Sequence, residues 1–372
     1  MSHRSPHLAI LVSYSGQGGV EKVIDNLLPA LADRGCRIDL LLIRDKGLVA
    51  ERFPPNVRIV RLRSRHALTA LPELTGYLRK NRPPVLMAVR HRAIKVAVLA
   101  RRISGADTRI VGQIHTTASV AMQNWNAIKR WRWRRETRRY YHHCDLMVGV
   151  SRGVADDIRQ MAGLPADRVT AIYNPIITTE TMSALPRLPD HPWLHPPGPP
   201  VVLSAGRLTR QKDFPTLIRA FAIVAKNRPA RLIILGEGKE RPALEALIAT
   251  LGLQQKVALP GHVDDPLAWM AAADLFVLSS IWEGFGNVLA EAMAVGTPVV
   301  ATDCPHGPRE ILHDGRLGPL VPMQNPTALA EAMVRTLASP PAPETLQAGL
   351  TEFTTATAAD RYIDALSLAC GQ

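Results

Sequence analysis

The sequence is short of cysteine, and its few cysteines lie far apart. No two of them form a C-x-x-C pair, and the spacing is that of neither a disulfide framework nor a cysteine-based zinc site. We therefore expect a reducing compartment. The four are Cys36, Cys144, Cys304 and Cys370.

Long hydrophobic runs are also missing. The apolar run nearest the start, Leu8 to Val12, is too short for the core of a signal peptide, and no later run reaches transmembrane length. We therefore expect a cytoplasmic chain. Hydrophobic residues still make up 47%, which supports real apolar cores, and 372 residues favour two domains over one.

Acidic residues are scarce in the first half only. Residues 1–180 hold 30 Lys and Arg against 14 Asp and Glu, whereas residues 181–372 hold 15 against 18. The whole surplus behind the net charge of +13 therefore lies in the first half. Such a field attracts an anionic membrane leaflet, a phosphorylated acceptor or nucleic acid.

Short apolar runs alternate with amphipathic segments along the chain. This alternation predicts parallel sheets wrapped by helices, once in residues 1–180 and again in residues 201–355. Residues 183–200 hold seven prolines, so we predict a linker over 181–200. Strands are expected at 7–13, 37–43, 57–62, 85–89, 109–114, 146–150, 201–205, 232–235, 275–278 and 299–302.

Two glycine loops in the second half follow predicted strands. Gly206, Arg207 and Lys212 come after strand 201–205, and carboxyl ends of strands are where open α/β sheets bind ligands. An arginine and a lysine suit a diphosphate, although a solvated basic loop would look the same. Gly236 follows strand 232–235 and permits close approach of a ligand, and a tight turn explains it equally well.

A third cluster holds two glutamates eight residues apart. Glu283 lies in a glycine turn after strand 275–278, and Glu291 falls on the following helix. The backbone N–H groups of Gly286, Asn287 and Val288 open that helix, where unpaired donors and the helix dipole attract phosphate. Two merely solvated glutamates would account poorly for the acidic pair, the turn and the helix start occurring together.

The run EGFGNVLAEAMAVGTPVV, with GRLTRQKDF upstream of it, resembles the retaining family 4 glycosyltransferases. The resemblance implies an α/β protein of GT-B architecture, with two Rossmann-like domains facing across a cleft, and a final helix at 356–372 that packs back on the first domain. It also implies sugar transfer from a nucleotide-sugar substrate with no metal or other cofactor. The absence of an Asp-x-Asp motif agrees with metal independence.

The resemblance assigns roles to the second-half residues. Arg207 and Lys212 would hold the donor diphosphate and stabilise the leaving nucleoside diphosphate. Glu291 would bind the ribose, and Glu283 would lie against the sugar. Backbone groups would come from Gly206, Gly236, Gly286, Asn287 and Val288.

Three further residues receive roles in the same way. Gly18 and Gly19 would approach the diphosphate from the opposite wall, and His115 would contact the donor sugar or the acceptor. The segment CPHGPREIL resembles members that build glycans on lipid carriers, often from UDP-sugars. Glu310 in that segment would reach the donor sugar, although any tight loop could use the same glycine and prolines.

A basic, aromatic segment occupies residues 125–141. Seven cations fall within 129–139, with tryptophan and tyrosine interleaved. We predict a helix that rests on anionic lipid headgroups or grips the diphosphate of a lipid-linked acceptor. The alternative is that Trp133 and Tyr140 pack into the domain and the arginines are solvated. The candidate contacts are Lys129, Arg130, Trp131, Arg132, Trp133, Arg134 and Arg135.

Several alternative functions fit part of the sequence. An NAD-linked oxidoreductase would need G-x-G-x-x-G after the first strand, but Glu21 stands where the last glycine belongs. A nucleic-acid-binding module leaves Glu283, Glu291 and Lys212 unexplained. A nucleotide-sugar epimerase and a soluble glycosyltransferase for small acceptors stay open. We expect a UDP-hexose or UDP-N-acetylhexosamine donor and a lipid-linked or lipopolysaccharide-type acceptor, at the cytoplasmic face of a membrane.

Overall fold

The computed structural model describes residues 6–14, 18–45, 48, 50–64, 66–123, 125–178, 181, 188–195 and 197–369. The chain divides into two compact units. The first unit contains Met1–Ile176 together with Thr354–Gln372, and the second contains Ile177–Phe353.

A seven-stranded sheet forms the centre of the first unit. Its order is β3-β2-β1-β4-β5-β6-β7, and every pair is parallel. The order reverses between β1 and β4, and open α/β sheets bind ligands beyond the carboxyl ends of strands at such a point. The strands are β1 (His7–Ser13), β2 (Arg37–Arg44), β3 (Val57–Arg61), β4 (Val85–Val89), β5 (Arg109–Ile114), β6 (Leu146–Gly149) and β7 (Val169–Ala171).

Helices connect these strands and cover the sheet. All five residues of β4 are buried, as expected for a parallel strand covered on both faces. Gly105 and Gly163 end two of the helices in the left-handed conformation, with φ of 65° and 69°. The helices are α1 (Gly19–Ala32), α2 (Leu71–Asn81), α3 (His91–Ser104), α4 (Ala118–Ala121), α5 (Ala127–Tyr141) and α6 (Arg152–Ala162).

The second unit contains a six-stranded parallel sheet. Its order is β10-β9-β8-β11-β12-β13, which reverses between β8 and β11. The strands are β8 (Val201–Ala205), β9 (Arg231–Leu235), β10 (Val257–Gly261), β11 (Leu275–Leu278), β12 (Val299–Thr302) and β13 (Leu320–Val321). The helices are α7 (Phe214–Asn227), α8 (Arg241–Thr250), α9 (Pro266–Ala271), α10 (Asn287–Ala294), α11 (Pro308–Ile311), α12 (Pro326–Ala338) and α13 (Pro343–Ala348).

The last helix, α14 (Thr355–Ala369), belongs to the first unit. Tyr362 is fully buried in the first core, and Gln113 of β5 donates a hydrogen bond to its hydroxyl at 2.5 Å. Arg34, just beyond α1, pairs with Asp360 at 2.5 Å. The buried Tyr362 side chain and these two polar contacts therefore hold α14 on the first unit.

The proline-rich segment is described in part. Residues 182–187 and 196 lie outside the described residues. Within 188–195 the chain forms a single turn, Pro192–Leu194, and Leu194 is buried. The His191 ring contacts the rings of Trp193 and Trp269, with centroids 5.2 and 5.4 Å away. The described part of the segment is therefore anchored on the second unit.

Candidate active site

A buried ion pair lies at the reversal point of the second sheet. Lys212 follows β8 and Glu283 follows β11, and these two strands are neighbours. Lys212 Nζ lies 2.6 Å from Glu283 Oε1, and the Ser280 hydroxyl donates to the same oxygen at 2.6 Å. The Lys212 side chain is 15% exposed and that of Glu283 is 8% exposed. The structure therefore places a lysine ammonium and a carboxylate, both largely desolvated, where open α/β sheets bind ligands.

Hydrogen bonds between the two loops hold this pair in place. Gln211 donates to the carbonyl of Trp282 at 2.9 Å, and its own carbonyl accepts from the N–H of Ile281 at 2.8 Å. The Ser279 hydroxyl donates to the Lys212 carbonyl at 2.7 Å. The loops after β8 and β11 are thus joined on both sides of the ion pair, so its geometry exists before any ligand binds.

Two glycines let the neighbouring loops approach each other. Gly236, after β9, has φ of 121°, and a Cβ added there would lie 2.1 Å from the Gly206 carbonyl oxygen. A Cβ on Gly206 would lie 2.9 Å from Cε of Lys212. The structure therefore places Gly236 against the Gly206 loop, and Gly206 against the stem of the site lysine.

Arg207 stands apart from this pair. It is exposed, and its guanidinium makes no hydrogen bond or ion pair with any residue that the structure describes. Lys212 is committed to Glu283, whereas Arg207 is available to a ligand.

Glu291, eight residues after Glu283, is buried as well. Glu291 is 4% exposed and lies on α10, whose first residues are Asn287 and Val288. Gly286 precedes that helix in the left-handed conformation, with φ of 99°. The alternative that Glu283 and Glu291 are merely solvated is therefore wrong.

The segment after β12 packs against the same glycine turn. The N–H of Glu283 donates to the carbonyl of Pro305 at 3.4 Å, and a Cβ on Gly307 would lie 1.8 Å from the Phe285 carbonyl oxygen. Glu310 follows on α11 and is half-buried. Burial and the nearby Glu283 carboxylate raise the pKa of the Cys304 thiol to about 12, so this cysteine stays protonated at neutral pH.

A second set of predicted residues lies in the first unit. Gly19 begins α1, and Gly18 precedes it. A Cβ on Gly18 would lie 2.5 Å from Oε2 of Glu21, whose side chain is 3% exposed. The buried glutamate carboxylate therefore lies directly against Gly18. Gly16 lies outside the described residues.

His115 follows β5 at the same edge of the first sheet. It is partly buried, and its Nε2 is inaccessible to solvent. Burial, reinforced by the positive charge of Arg90, lowers the pKa of His115 to about 3. The imidazole is therefore neutral at physiological pH, and it can donate or accept one hydrogen bond per nitrogen.

Arg90 is a residue that the sequence analysis missed. It comes directly after β4, and its guanidinium lies 3.6 Å from Glu21 Oε2. The available signal was its position immediately after the apolar run 85–89, because strand ends at a reversal point face the ligand crevice.

The basic, aromatic segment is the helix α5, and it has two distinct faces. Trp133 and Tyr140 turn inward, and the Trp133 ring stacks on His91 with centroids 4.1 Å apart. Ile128 and Trp131 turn outward and are 72% and 59% exposed. The packing alternative is therefore right for Trp133 and Tyr140, and the outward face remains a candidate contact surface.

Cations lie beside the exposed Trp131 and beside Trp125, just before α5. Arg135 lies over the Trp131 ring at 5.5 Å, and Arg132 borders a cavity of about 340 Å³ beside this face. Lys129 lies over the Trp125 ring at 4.1 Å. Arg134 is exposed and Arg130 is half-exposed. Among the helices that the structure describes, none is long and apolar enough to cross a membrane.

Comparison with known proteins agrees with this arrangement. Residues 17–180 match the family profile described as Glycosyltransferase Family 4, and residues 199–339 match the one described as Glycosyl transferases group 1. The chain is 29% identical over 352 residues to the N-acetylgalactosamine-N,N'-diacetylbacillosaminyl-diphospho-undecaprenol 4-alpha-N-acetylgalactosaminyltransferase of Campylobacter jejuni, covering 88% of each chain.

Two further similarities extend over most of the chain. It is 29% identical over 337 residues to the lipopolysaccharide core biosynthesis glycosyltransferase LpsE of Rhizobium meliloti, covering 87% of each chain. The crystal structure of HepE from Anabaena in complex with UDP-glucose matches with a TM-score of 0.78 and 22% identity, over 97% of this chain and 99% of that one. Two parallel α/β units and the two matched profiles confirm the predicted fold class, and the chain belongs to the family 4 glycosyltransferases of GT-B architecture.

Proposed function

We propose that this glycosyltransferase moves a hexose or N-acetylhexosamine from a UDP-sugar to a lipid-linked or lipopolysaccharide-type glycan, with retention of configuration and without a metal ion. The buried Lys212–Glu283 pair at the β8–β11 reversal point is the observation that carries the proposal. A cation already fixed at a ligand-binding edge can stabilise charge that develops on a leaving diphosphate, with no reorganisation during the reaction.

The donor site combines a fixed cation with a free one. Lys212 is held by Glu283, whereas the exposed Arg207 closes on the diphosphate when the donor binds. The N–H groups of Gly286, Asn287 and Val288 add donors at the start of α10. We assign the ribose hydroxyls to Glu291 and the sugar to Glu283 and Glu310.

The choice of UDP and of the acceptor rests on relatives. A structural neighbour of the same fold was solved with UDP-glucose, and one relative is named for transfer to a diphospho-undecaprenol-linked glycan. Another is named for lipopolysaccharide core biosynthesis. A strongly basic first half suits such phosphorylated acceptors.

Retention follows if the acceptor attacks from the face that the diphosphate leaves. The departing phosphate oxygen then takes the acceptor proton, so no side-chain base is required. The two cations supply the charge stabilisation that a metal ion supplies in other enzymes. We assign to the neutral His115 a hydrogen bond to the transferred sugar or to the acceptor hydroxyl.

Membrane association would use the outward face of α5. Ile128 and Trp131 would enter the headgroup region, and the surrounding arginines would contact anionic lipid. In this proposal the enzyme is a peripheral protein at the membrane surface.

A thermal-shift panel of UDP, GDP, ADP and their sugar derivatives tests the donor site. A ligand that binds only the folded state raises the melting temperature. We expect a shift with UDP that is lost in Arg207→Ala and in Glu291→Ala. Arg210→Ala, an exposed arginine of the same loop, is the matched control and should keep the shift. Stabilisation by single-stranded DNA but by no nucleotide would overturn the proposal.

A further inference from the structure

Arg90 occupies the ligand-binding edge of the first sheet. It follows β4, and β4 lies beside β1 at the point where the strand order reverses. The carboxyl end of β1 leads to Gly18 and α1. The first unit thus has a reversal point of the kind at which open α/β sheets bind ligands, and Arg90 lies there.

The backbone of Arg90 is in a conformation that side chains disfavour. Its φ is 76° and its ψ is 153°, a region that is essentially reserved for glycine. Its N–H donates to the Gln113 carbonyl at 2.9 Å, and its carbonyl accepts from Ala93 and Ile94 at 3.1 Å each. These bonds impose the conformation, which a glycine would adopt without strain. Because glycine would be favoured here on backbone grounds, the presence of an arginine indicates a role for its side chain.

The ion pair with Glu21 does not account for an arginine at position 90. The two atoms are 3.6 Å apart, beyond hydrogen-bond distance, and the guanidinium is 45% exposed. Solvent screens the half-exposed guanidinium, so its attraction to the buried Glu21 at this distance is weakened and does not by itself explain an arginine on such a backbone. The guanidinium makes no hydrogen bond to any described residue, so its N–H groups remain available to a ligand.

The groups around the Arg90 guanidinium indicate the class of ligand that it binds. The buried Glu21 carboxylate lies 3.6 Å from the guanidinium, on its inner side. The Nε2 of His115 is enclosed and has no hydrogen-bond partner among the described residues. A guanidinium fork matches the paired oxygens of a phosphoryl group better than it matches any neutral sugar group.

We propose that Arg90 is a substrate-binding residue that contacts a phosphoryl group, either of a prenyl-diphosphate-linked acceptor or of the UDP donor. This proposal rests on the proposed function, since it needs a phosphorylated substrate on this edge. It adds a binding residue that lies outside the family motifs of the sequence.

The test compares Arg90→Gly with Arg82→Gly. Arg82 is also an exposed arginine with positive φ, 38°, but it precedes β4 and so lies at the opposite end of the same strand. Both variants relieve backbone strain, but Arg90→Gly also removes the cation beside the buried Glu21 carboxylate, so the melting temperature of each variant is measured first. UDP affinity and farnesyl diphosphate affinity are then measured by calorimetry on wild type and on both variants.

We expect Arg90→Gly to lose about tenfold or more in affinity for one probe, as for a lost charge-assisted hydrogen bond, and Arg82→Gly to lose none. Loss with farnesyl diphosphate assigns Arg90 to the acceptor, and loss with UDP assigns it to the donor. Unchanged affinity for both probes overturns the proposal. If Arg90→Gly does not fold, Arg90→Lys tests the proposal instead. Lysine keeps the positive charge but lacks the forked pair of N–H donors, so its affinity for the same probe should be lower than that of wild type. Failure of wild type to bind UDP would instead count against the proposed function.

Discussion

Lys212 Nζ and Glu283 Oε1 lie 2.6 Å apart although 71 residues separate them in the chain. They meet because β8 and β11 are adjacent strands of one sheet, so their following loops share an edge. Glu283 is buried and Lys212 is partly buried, and either charge alone would be costly in that environment. The pair therefore couples the stability of the second unit to the chemistry of its ligand edge.

Removing one partner of this pair should destabilise the protein more than removing both. Lys212→Met leaves the buried Glu283 carboxylate without its cation, and we expect a loss of about 3 kcal/mol in the free energy of unfolding. The double variant Lys212→Met with Glu283→Gln removes both charges and should recover most of that loss. Urea unfolding of the single and double variants measures this coupling. Additive losses would show that the two groups do not interact.

Gly236 should tolerate no side chain. In Gly236→Ala the new methyl would lie 2.1 Å from the Gly206 carbonyl, so the Gly206 loop must shift. We expect a loss of about 2 kcal/mol in stability and weaker UDP binding, because the loop carries Arg207 and Lys212.

Gly76→Ala is the control for this substitution. Gly76 lies on α2, and a Cβ there meets no atom within 4 Å. Removing a helical glycine should stabilise by about 0.5–1 kcal/mol with UDP affinity unchanged. Equal stability of Gly236→Ala and wild type would contradict the loop packing described above.

Two histidines should make the protein sensitive to acid. Burial lowers the pKa of His91 to about 4 and that of His115 to about 3. Below pH 6.5 the unfolded chain binds protons at these positions and the folded chain does not. Stability is therefore full above pH 6.5 and falls as pH decreases toward 4, by about 1.4 kcal/mol per pH unit for each histidine.

His91→Phe tests this origin. The variant keeps a ring against Trp133 but removes one group that takes up protons on unfolding. The slope of unfolding free energy against pH should drop by about half between pH 6 and 5, with no change in slope above pH 7. A slope equal to that of wild type would contradict the burial of a neutral His91.

The two tryptophans of α5 should behave oppositely. Trp131→Ser removes an exposed ring, so we expect unchanged stability but about tenfold weaker binding to vesicles of phosphatidylglycerol and phosphatidylethanolamine. Trp133→Ala removes the stack on His91 and should cost about 2–3 kcal/mol in stability. Vesicle co-sedimentation and urea unfolding of both variants separate the roles. Wild-type-like vesicle binding of Trp131→Ser would exclude this face as the membrane contact.

Much of the fold was predictable because parallel strands covered on both faces read as continuous apolar runs. The ten predicted strands all occur. The structure adds β7, β10 and β13, which are short or partly exposed and therefore lack a continuous apolar run. The packing of α14 on the first unit was expected only from the family resemblance, since the contact of Tyr362 with Gln113 joins residues far apart in the chain.

The site residues that belong to sequence motifs were predictable. The residues and contacts that depend on the folded geometry were not. Spacing and resemblance selected Lys212 and Glu283, but only the fold shows that they pair. Arg90 was missed because its backbone conformation and its contact with Glu21 are set by the fold, although its position after the apolar run 85–89 was a signal in the sequence. Helical period put Trp131 and Trp133 on different faces of α5 without indicating which face is the core.

The central claim is tested most directly by release of UDP from UDP-hexoses and UDP-N-acetylhexosamines, with EDTA present and with or without a prenyl-diphosphate-linked glycan acceptor. We expect release that requires the acceptor, survives EDTA, and falls by about 10²-fold or more in Lys212→Ala. Conversion of the sugar without acceptor would indicate an epimerase. Release from no UDP-sugar, or release unaffected by Lys212→Ala, would contradict the proposed function.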